Sequence, residues 1–475
     1  MREFLNKITN SLDAIGFDDL ILLPGMSSVE PSDVDLSTRA SKNIWMKVPF
    51  ISSPMDTVTE SEMAIAMARS GGIGIVHRNC SKEEQVEMIK RVKRAESFII
   101  RDVITIDPGL TIKEAAEIME KNRISGLPVV EGGKLIGIIT GRDVRFADPS
   151  LRVADVMTRD VITAREGIRM DEAEELMKSH KIEKLPVVDE EGRLRGLITY
   201  KDIALRGKYG NATRDEQGRL RVGAAISPFD LERAKELSKI ADLLVVDVAH
   251  FHNLRVMEAT KKLIKEVDVD VVVGNIGTYE AAVDIISSME VAGLRVGIGS
   301  GSVCTTMEVT GVGAPTPFAV AQVADAVREM GADLPIIADG GIRGAGDIAI
   351  SLALGASSVM MGYIFAGCRE SPGELISIGS RYYKRHRGMG SEAARRKRMA
   401  LDRYNQPAKG MPEGIEAFVP YRGEVHMVVE ELSAALKAAF GYAGASCIEE
   451  LWRKAKLARK TPHTHERAKD LIIPT

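Results

Sequence analysis

Pro335-Ile-Ile-Ala-Asp-Gly-Gly341, followed by Ser358-Val-Met-Met-Gly-Tyr363, decides the fold class of this chain. Each is a short apolar run that reads as a buried strand and ends on glycine and polar residues, with a helical stretch between the two. Working outward, six further runs share that character: Val48–Ser52, Ile73–Val76, Arg221–Ala225, Leu243–Val248, Val269–Val273 and Leu294–Ile298. Alternation of strands with helical stretches marks a parallel α/β fold, and eight strands are what a (β/α)8 TIM barrel needs. An open doubly wound sheet competes with it, because strand order is not written in the sequence. The strand ends favour the barrel. Ser53-Pro-Met-Asp56, His77-Arg-Asn79, Asp247, Gly274-Asn275, a glycine-rich loop at Cys304, Asp339-Gly-Gly341 and Gly362-Tyr363 all follow carboxyl ends, where barrel enzymes carry their chemistry. The last two follow strands seven and eight, the usual barrel position of a phosphate. Backbone N–H groups at Gly340, Gly341 and Gly362 could cradle it, with Asp339 on sugar hydroxyls, so a substrate carrying a ribose phosphate is expected.

Between the second and third of these strands the chain repeats itself. Asp102-Val-Ile-Thr-Ile recurs as Asp160-Val-Ile-Thr-Ala, Leu127-Pro-Val-Val130 as Leu185-Pro-Val-Val188, and Gly137-Ile-Ile-Thr-Gly-Arg-Asp143 as Gly196-Leu-Ile-Thr-Tyr-Lys-Asp202. Each copy reads strand, amphipathic helix (Ile112 to Lys121; Met170 to Ser179), strand, glycine turn, strand. Residues 97–204 are thus an inserted pair of units, about 97–150 and 153–204, expected to pack on one another. Residues 1–96 and 205–475 supply the barrel.

The bulk composition agrees. A chain of 475 residues is too long for one ordinary core, and 45% hydrophobic with 28% charged residues suits a soluble globular protein. A formal net charge of -3 gives no electrostatic reason to expect nucleic acid as a partner. No run is long and apolar enough for a bilayer, and Met1-Arg-Glu-Phe-Leu-Asn-Lys7 lacks a secretory apolar core, so a cytoplasmic setting is expected. The four cysteines (Cys80, Cys304, Cys368, Cys447) form neither a metal pattern nor a disulfide framework; each is a small core residue or a reactive thiol.

Cys304 stands out. It closes Gly297-Ile-Gly-Ser-Gly-Ser-Val-Cys304 and is followed by Thr305 and Thr306. Glycines let the backbone approach a ligand, and converging N–H groups favour a thiolate suited to covalent attack on an electrophilic carbon. The competing interpretation is a cysteine merely buried in a tight loop. Asp247 reads either as a ligand for a ribose or an electron-poor ring, or as a solvated loop acid. His250 and His252 find no third ligand and read as structural. The basic stretch Lys384 to Gln406 reads either as a solvated helix with a mobile loop or, as part of a long segment of about 384–418, as a mobile lid, since long barrel loops often cover active sites.

Six runs carry a family resemblance: Ser52-Ser-Pro-Met-Asp-Thr-Val-Thr-Glu60, Gly71-Gly-Ile-Gly-Ile-Val-His77, Gly299-Ser-Gly-Ser-Val-Cys-Thr-Thr306, Ile337-Ala-Asp-Gly-Gly-Ile342, Arg387-Gly-Met-Gly-Ser391 and Pro412-Glu-Gly-Ile-Glu416. Over almost its whole length the chain resembles the IMP dehydrogenase/GMP reductase family, and the insertion looks like a tandem CBS (Bateman) domain. The resemblance implies that Cys304 attacks C2 of the purine of IMP, that hydride passes to NAD, and that the adduct is hydrolysed to XMP. It implies ribose-phosphate contacts from Ser302, Asp339, Gly341, Gly362 and Gly388, base contacts from Met55, Asn275, Met389 and Glu413, and further substrate contacts from Gly340, Tyr363 and Gly390. Asp247, Asn275, Arg295, Gly297 and Gly299 would face the dinucleotide. Arg403 and Tyr404 would be the catalytic pair of the lid, beside a Thr306–Glu413 proton relay. Carbonyls of Gly299, Gly301 and Cys304 would hold potassium, and Asp143 and Asp202 would bind regulatory nucleotides in the CBS pair. A homotetramer, pairing into octamers, is implied as well.

The chain departs from the family at Tyr363, where a small residue is usual, at His386, where tyrosine is common, and at Thr316, where glutamine is typical. The tail Lys460 to Asp470 also lacks the usual cation-binding pattern. GMP reductase, which shares the cysteine, threonine and glutamate but uses NADPH, is the nearest rival; Arg403-Tyr404 favours the dehydrogenase branch. A nucleotide sensor without catalysis is the remaining alternative.

Overall fold

The computed structural model describes residues 7, 11–95, 99–101, 103–122, 124–201, 203–204, 209–396 and 411–461. Eight parallel strands close in sequence order: β1 (Phe50–Ser52), β2 (Ile73–Val76), β3 (Gly223–Ile226), β4 (Leu243–Asp247), β5 (Asp270–Ile276), β6 (Gly293–Val296), β7 (Ile336–Asp339) and β8 (Ser358–Met361). Closure is made by β8 on β1, with Val359 opposite Phe50, Met360 opposite Ile51 and Met361 opposite Ser52. It rules out the open sheet. The strands are short and apolar because both faces are covered: inward residues such as Ile51, Ile73, Ile75, Leu243, Val245, Val272, Ile337 and Met360 fill the barrel as one cluster.

Helices cover the outside, and local sequence explains their starts. Asn253 accepts hydrogen bonds from the N–H groups of Arg255 and Val256 at 3.0 and 3.3 Å, opening helix Leu254–Ile264. That helix buries Val256, Met257, Thr260 and Leu263, a spacing that keeps one face on the barrel. Its three apolar side chains contribute roughly 1.5–3 kcal/mol each.

A hairpin, Thr38–Ser41 with Ile44–Met46, plugs the amino end of the barrel. Ala40, Ile44 and Met46 join the interior cluster. Its polar atoms bind strand starts: Ser41 Oγ donates to Asp270 Oδ2 (2.6 Å), Asn43 Nδ2 to Asp270 Oδ1 (2.7 Å) and Thr38 Oγ1 to the Ser357 carbonyl (2.7 Å). Among the described residues no helix is long and apolar enough to cross a membrane.

The insertion is a second compact unit, residues 94–210 with 216–219, a few residues longer at each end than the repeat itself. Its longest helices, Ile112–Asn122 and Met170–His180, are followed by hairpins Gly126–Glu131/Lys134–Thr140 and Lys184–Val188/Leu194–Thr199, the first of which leads into a short helix, Gly141–Phe146. The two copies bury equivalent positions. Ala115, Met119, Leu127, Val129 and Ile139 form one cluster, and Ala173, Met177, Leu185, Val187 and Ile198 the other. Asp143 caps its own helix, accepting from the backbone N–H (2.8 Å) and hydroxyl (2.7 Å) of Thr140. Asp202 lies outside the described residues.

Where the chain leaves and rejoins the barrel, Lys93 Nζ is bound by Asp215 Oδ2 (3.2 Å) and Asp242 Oδ2 (2.6 Å), all three side chains at most 10% exposed. Burial pushes the Asp242 carboxyl up despite the ammonium beside it. Lys93→Ala removes the ammonium from between two buried carboxylates and should cost about 3–5 kcal/mol. Both tryptophans, Trp45 and Trp452, lie in the barrel unit, so urea unfolding followed by their fluorescence reads that loss. An unchanged midpoint would contradict it.

Candidate active site

The carboxyl ends of the barrel strands open on a cavity of about 610 Å³, inside the range of roughly 300–1,000 Å³ usual for small-molecule sites. Its wall contains Met55, Asn275, Ser302, Cys304, Thr306, Asp339, Gly340, Gly341, Gly362, Tyr363, Gly388, Met389, Gly390 and Glu413. Asp247, Arg295, Gly297, Gly299 and Gly301 line it as well.

Cys304, half-buried, follows β6 and faces a hydroxyl and a carboxylate in series. Its Sγ lies 3.2 Å from Thr306 Oγ1, which donates to Glu413 Oε2 at 3.1 Å. Thr306 and Glu413 stand 107 residues apart and meet because three segments pair edge to edge. The Thr305 N–H donates to the Glu413 carbonyl (3.2 Å), Ile415 N–H to Val303 (3.1 Å), and Gly388 N–H to Ile415 (3.0 Å). A Cβ on Gly388 would stand 2.4 Å from the Val303 carbonyl oxygen, so this packing requires glycine there. The arrangement can carry a proton from the neighbourhood of the sulfur to a carboxylate.

A second constellation crosses the cavity wall. The buried Arg295 guanidinium donates through Nη1 to Asp247 Oδ1 (2.6 Å) and through Nε to Asp339 Oδ2 (2.8 Å). Burial works against its charge, but the two carboxylates outweigh it and raise its pKa, so it stays a cation. Asn275 Nδ2 also reaches Asp339 Oδ2 (2.8 Å) and the Gly297 carbonyl (2.7 Å). Both bonds to Asp339 therefore land on one oxygen, orienting the carboxylate. Asn275 and Arg295, expected to face a dinucleotide, line the cavity and direct these donors at Asp339, Asp247 and the Gly297 carbonyl. Arg78 Nη2 donates to the Asp247 carbonyl (3.1 Å). Its place after β2 was visible in sequence, but its target was not.

A profile of the IMP dehydrogenase / GMP reductase domain matches residues 14–469. The chain belongs to this family. It is 59% identical over 446 residues to the inosine-5'-monophosphate dehydrogenase of Korarchaeum cryptofilum, covering 94% of both chains. It is 50% identical over 460 residues to that of Thermoplasma acidophilum, covering 96% of this chain and 94% of the other. Among solved structures, a GMP reductase from Trypanosoma brucei in complex with guanosine 5'-monophosphate matches with TM-score 0.87 and 36% identity, over 96% of this chain and 97% of that one. Because that reductase matches nearly the whole chain, the presence of an insertion does not separate the two activities of the IMP dehydrogenase/GMP reductase family.

The family's glycine-rich end of the cavity is built from Gly340 (φ +91°), Gly341 (φ +75°) and Gly362. Positive φ at the first two is the conformation only glycine adopts without strain. Tyr363 lies under the Arg422 guanidinium, 5.6 Å from ring centroid to Cζ. His386 is buried beside Gly362, its Nδ1 3.1 Å from Thr57 Oγ1; burial pushes its pKa down to about 4, so it is neutral near pH 7. Arg387 is held by the buried Asp56 through Nε (3.0 Å) and Nη2. Phe17 and Asp18 reach the same wall from the N-terminal segment, which no local motif signalled.

The expected lid over 384–418 is corrected at both ends. Residues 384–387 finish strand Arg381–Arg387 and 416–418 begin strand Glu416–Pro420, paired with Arg385 opposite Phe418 and Arg387 opposite Glu416. The strand escaped sequence reasoning because its inward residues are Lys384 and His386 rather than apolar ones. Lys384 is satisfied by the Ser371 carbonyl at 2.8 Å. Arg403 and Tyr404 lie outside the described residues. At the expected potassium carbonyls, that of Gly301 accepts the Cys304 N–H at 2.9 Å. His252 Nε2 meets Asp284 Oδ2 at 2.8 Å, as suits a structural role.

Burial pushes the thiols of Cys80 and Cys368 up to about 12. At pH 8 such thiols are ionised in on the order of one molecule in ten thousand. Brief iodoacetamide treatment followed by peptide mass spectrometry should therefore label Cys304 well ahead of both; equal labelling would remove the case for a distinct thiol.

Proposed function

We propose that this protein oxidises IMP to XMP through a covalent adduct on Cys304, with NAD as the hydride acceptor. The observation that carries covalent chemistry is the sulfur–hydroxyl–carboxylate series of Cys304, Thr306 and Glu413 at the edge of a nucleotide-sized cavity. Oxidation rather than reduction is supported by relatives named IMP dehydrogenase at 59% and 50% identity, against 36% for the matched GMP reductase.

The residues divide the work. Gly340, Gly341 and Gly362 offer backbone N–H groups to the phosphate, with Gly388 lining the same cavity, and Asp339, oriented by Arg295 and Asn275, accepts from the ribose hydroxyls. Met55, Met389 and Gly390 pack against the base. The Cys304 sulfur adds to C2 of the hypoxanthine ring. Asp247, Gly297 and Gly299 would hold NAD, which would supply the acceptor for the hydride of C2. Water then adds to C2 as the C–S bond breaks, and its proton passes through the Thr306 hydroxyl to Glu413. The sum is IMP, NAD⁺ and water giving XMP, NADH and a proton. Arg403 and Tyr404 are proposed to assist the hydrolytic step, and the Gly299, Gly301 and Cys304 carbonyls to hold potassium. The inserted unit is proposed to be a CBS pair that binds regulatory nucleotides through Asp143 and Asp202, in a cytoplasmic homotetramer able to pair into octamers. Asp143 already caps a helix, so nucleotide binding there competes with that role.

Purified protein should form NADH from IMP and NAD; NADPH oxidation with GMP and silence with IMP would make it a reductase. Cys304→Ala should abolish turnover while IMP still binds. Arg403→Ala should keep a burst of NADH and slow the steady state, since it spares the first chemical step. Loss of the burst would remove Arg403 from hydrolysis.

A further inference from the structure

The Cys304 loop and the glycine loop after β7 come from different strands, yet the nucleophile works only if the two keep a fixed spacing. One buried hydroxyl spans them. Thr316, 1% exposed at the start of helix Thr316–Glu329, places Oγ1 3.0 Å from Ser300 Oγ, 3.0 Å from the Asp339 carbonyl and 2.9 Å from the Gly340 carbonyl. It has a single proton, so it donates to one oxygen at a time and can accept from Ser300. The space is cleared by Gly297: with φ +126°, a Cβ there would stand 2.3 Å from the Asp339 carbonyl and 2.8 Å from Thr316 Oγ1. Ser300 in turn packs at the backs of both phosphate-loop glycines, 3.5 and 3.3 Å from where Cβ atoms would lie on Gly340 and Gly341.

We propose that Thr316 is a positioning residue that keys the Cys304 loop to the sugar–phosphate loop through Ser300 on one side and the Asp339 and Gly340 carbonyls on the other. The hydroxyl touches no reacting atom. It sets the distance between the sulfur and a nucleotide held by its phosphate, so its loss acts on the approach of sulfur to C2 more than on nucleotide binding. This role rests on the substrate proposed above.

The test compares wild type with Thr316→Val, which keeps shape without the hydroxyl, and Thr316→Ser, which keeps the hydroxyl. Thr316→Val should lose roughly tenfold in the NADH burst rate at saturating IMP and NAD, a loss of the size one hydrogen bond carries. IMP affinity should change by less than about threefold, and Thr316→Ser should restore the burst. Ligand-free alkylation of Cys304 by iodoacetamide should also differ from wild type in Thr316→Val and return in Thr316→Ser. Ser300→Ala, cutting the other side of the key, should shift both readouts the same way and serves if Thr316→Val does not fold. Unchanged burst and alkylation in Thr316→Val, or a Thr316→Ser variant as impaired as Thr316→Val, overturns the keying. Failure of the substrate reading is separately visible as wild-type protein that forms no NADH from IMP. The ligand-free alkylation series then decides the keying alone.

Discussion

Three residue pairs, Val359 with Phe50, Met360 with Ile51 and Met361 with Ser52, close the barrel, and every other arrangement depends on that seam. Without it, Met55 near the start of the chain and Gly362 far along it have no reason to share a wall. Closure turns a linear series of strand ends into a ring and brings all the polar loops around one opening. The strands can be as short as three residues, as β1 is, because their neighbours supply both hydrogen-bonding edges and the interior cluster supplies the burial.

On this ring the chemistry is held by connections of long sequence separation. Glu413 reaches Thr306 because its own backbone adds to the edge of the cysteine loop, so a carboxylate is fixed by main-chain pairing rather than by the reach of its side chain. Arg295 spends its charge between two carboxylates. An isolated guanidinium so deeply buried would be costly, but here desolvation is offset by Asp247 and Asp339. The cavity wall thereby gains a carboxylate of fixed orientation.

The barrel was legible because its eight strands are apolar, short and each followed by glycine or polar residues, a pattern set by burial on both faces. The repeat was legible because both copies bury the same positions, as Met119 and Met177 do. Cys304, Thr306 and Asp339 sit in distinctive local motifs. Residues whose role depends on distant partners were not visible. Arg78 needs the backbone of Asp247, and Thr316 needs carbonyls of Asp339 and Gly340. The hairpin Thr38–Met46 shows no alternation that announces a plug, since its function lies in contacts to three different strand starts or the turns before them. Strand Arg381–Arg387 hid behind buried Lys384 and His386, which look like surface residues until a carbonyl and a hydroxyl are found to meet them.

That plug also governs traffic. With Ala40, Ile44 and Met46 packed into the amino end and large side chains filling the bore, that end of the barrel is closed. Nothing drains through the floor. A ligand of the strand-end cavity therefore comes and goes on the side of the loops, and access to it is set by those loops rather than by the bore.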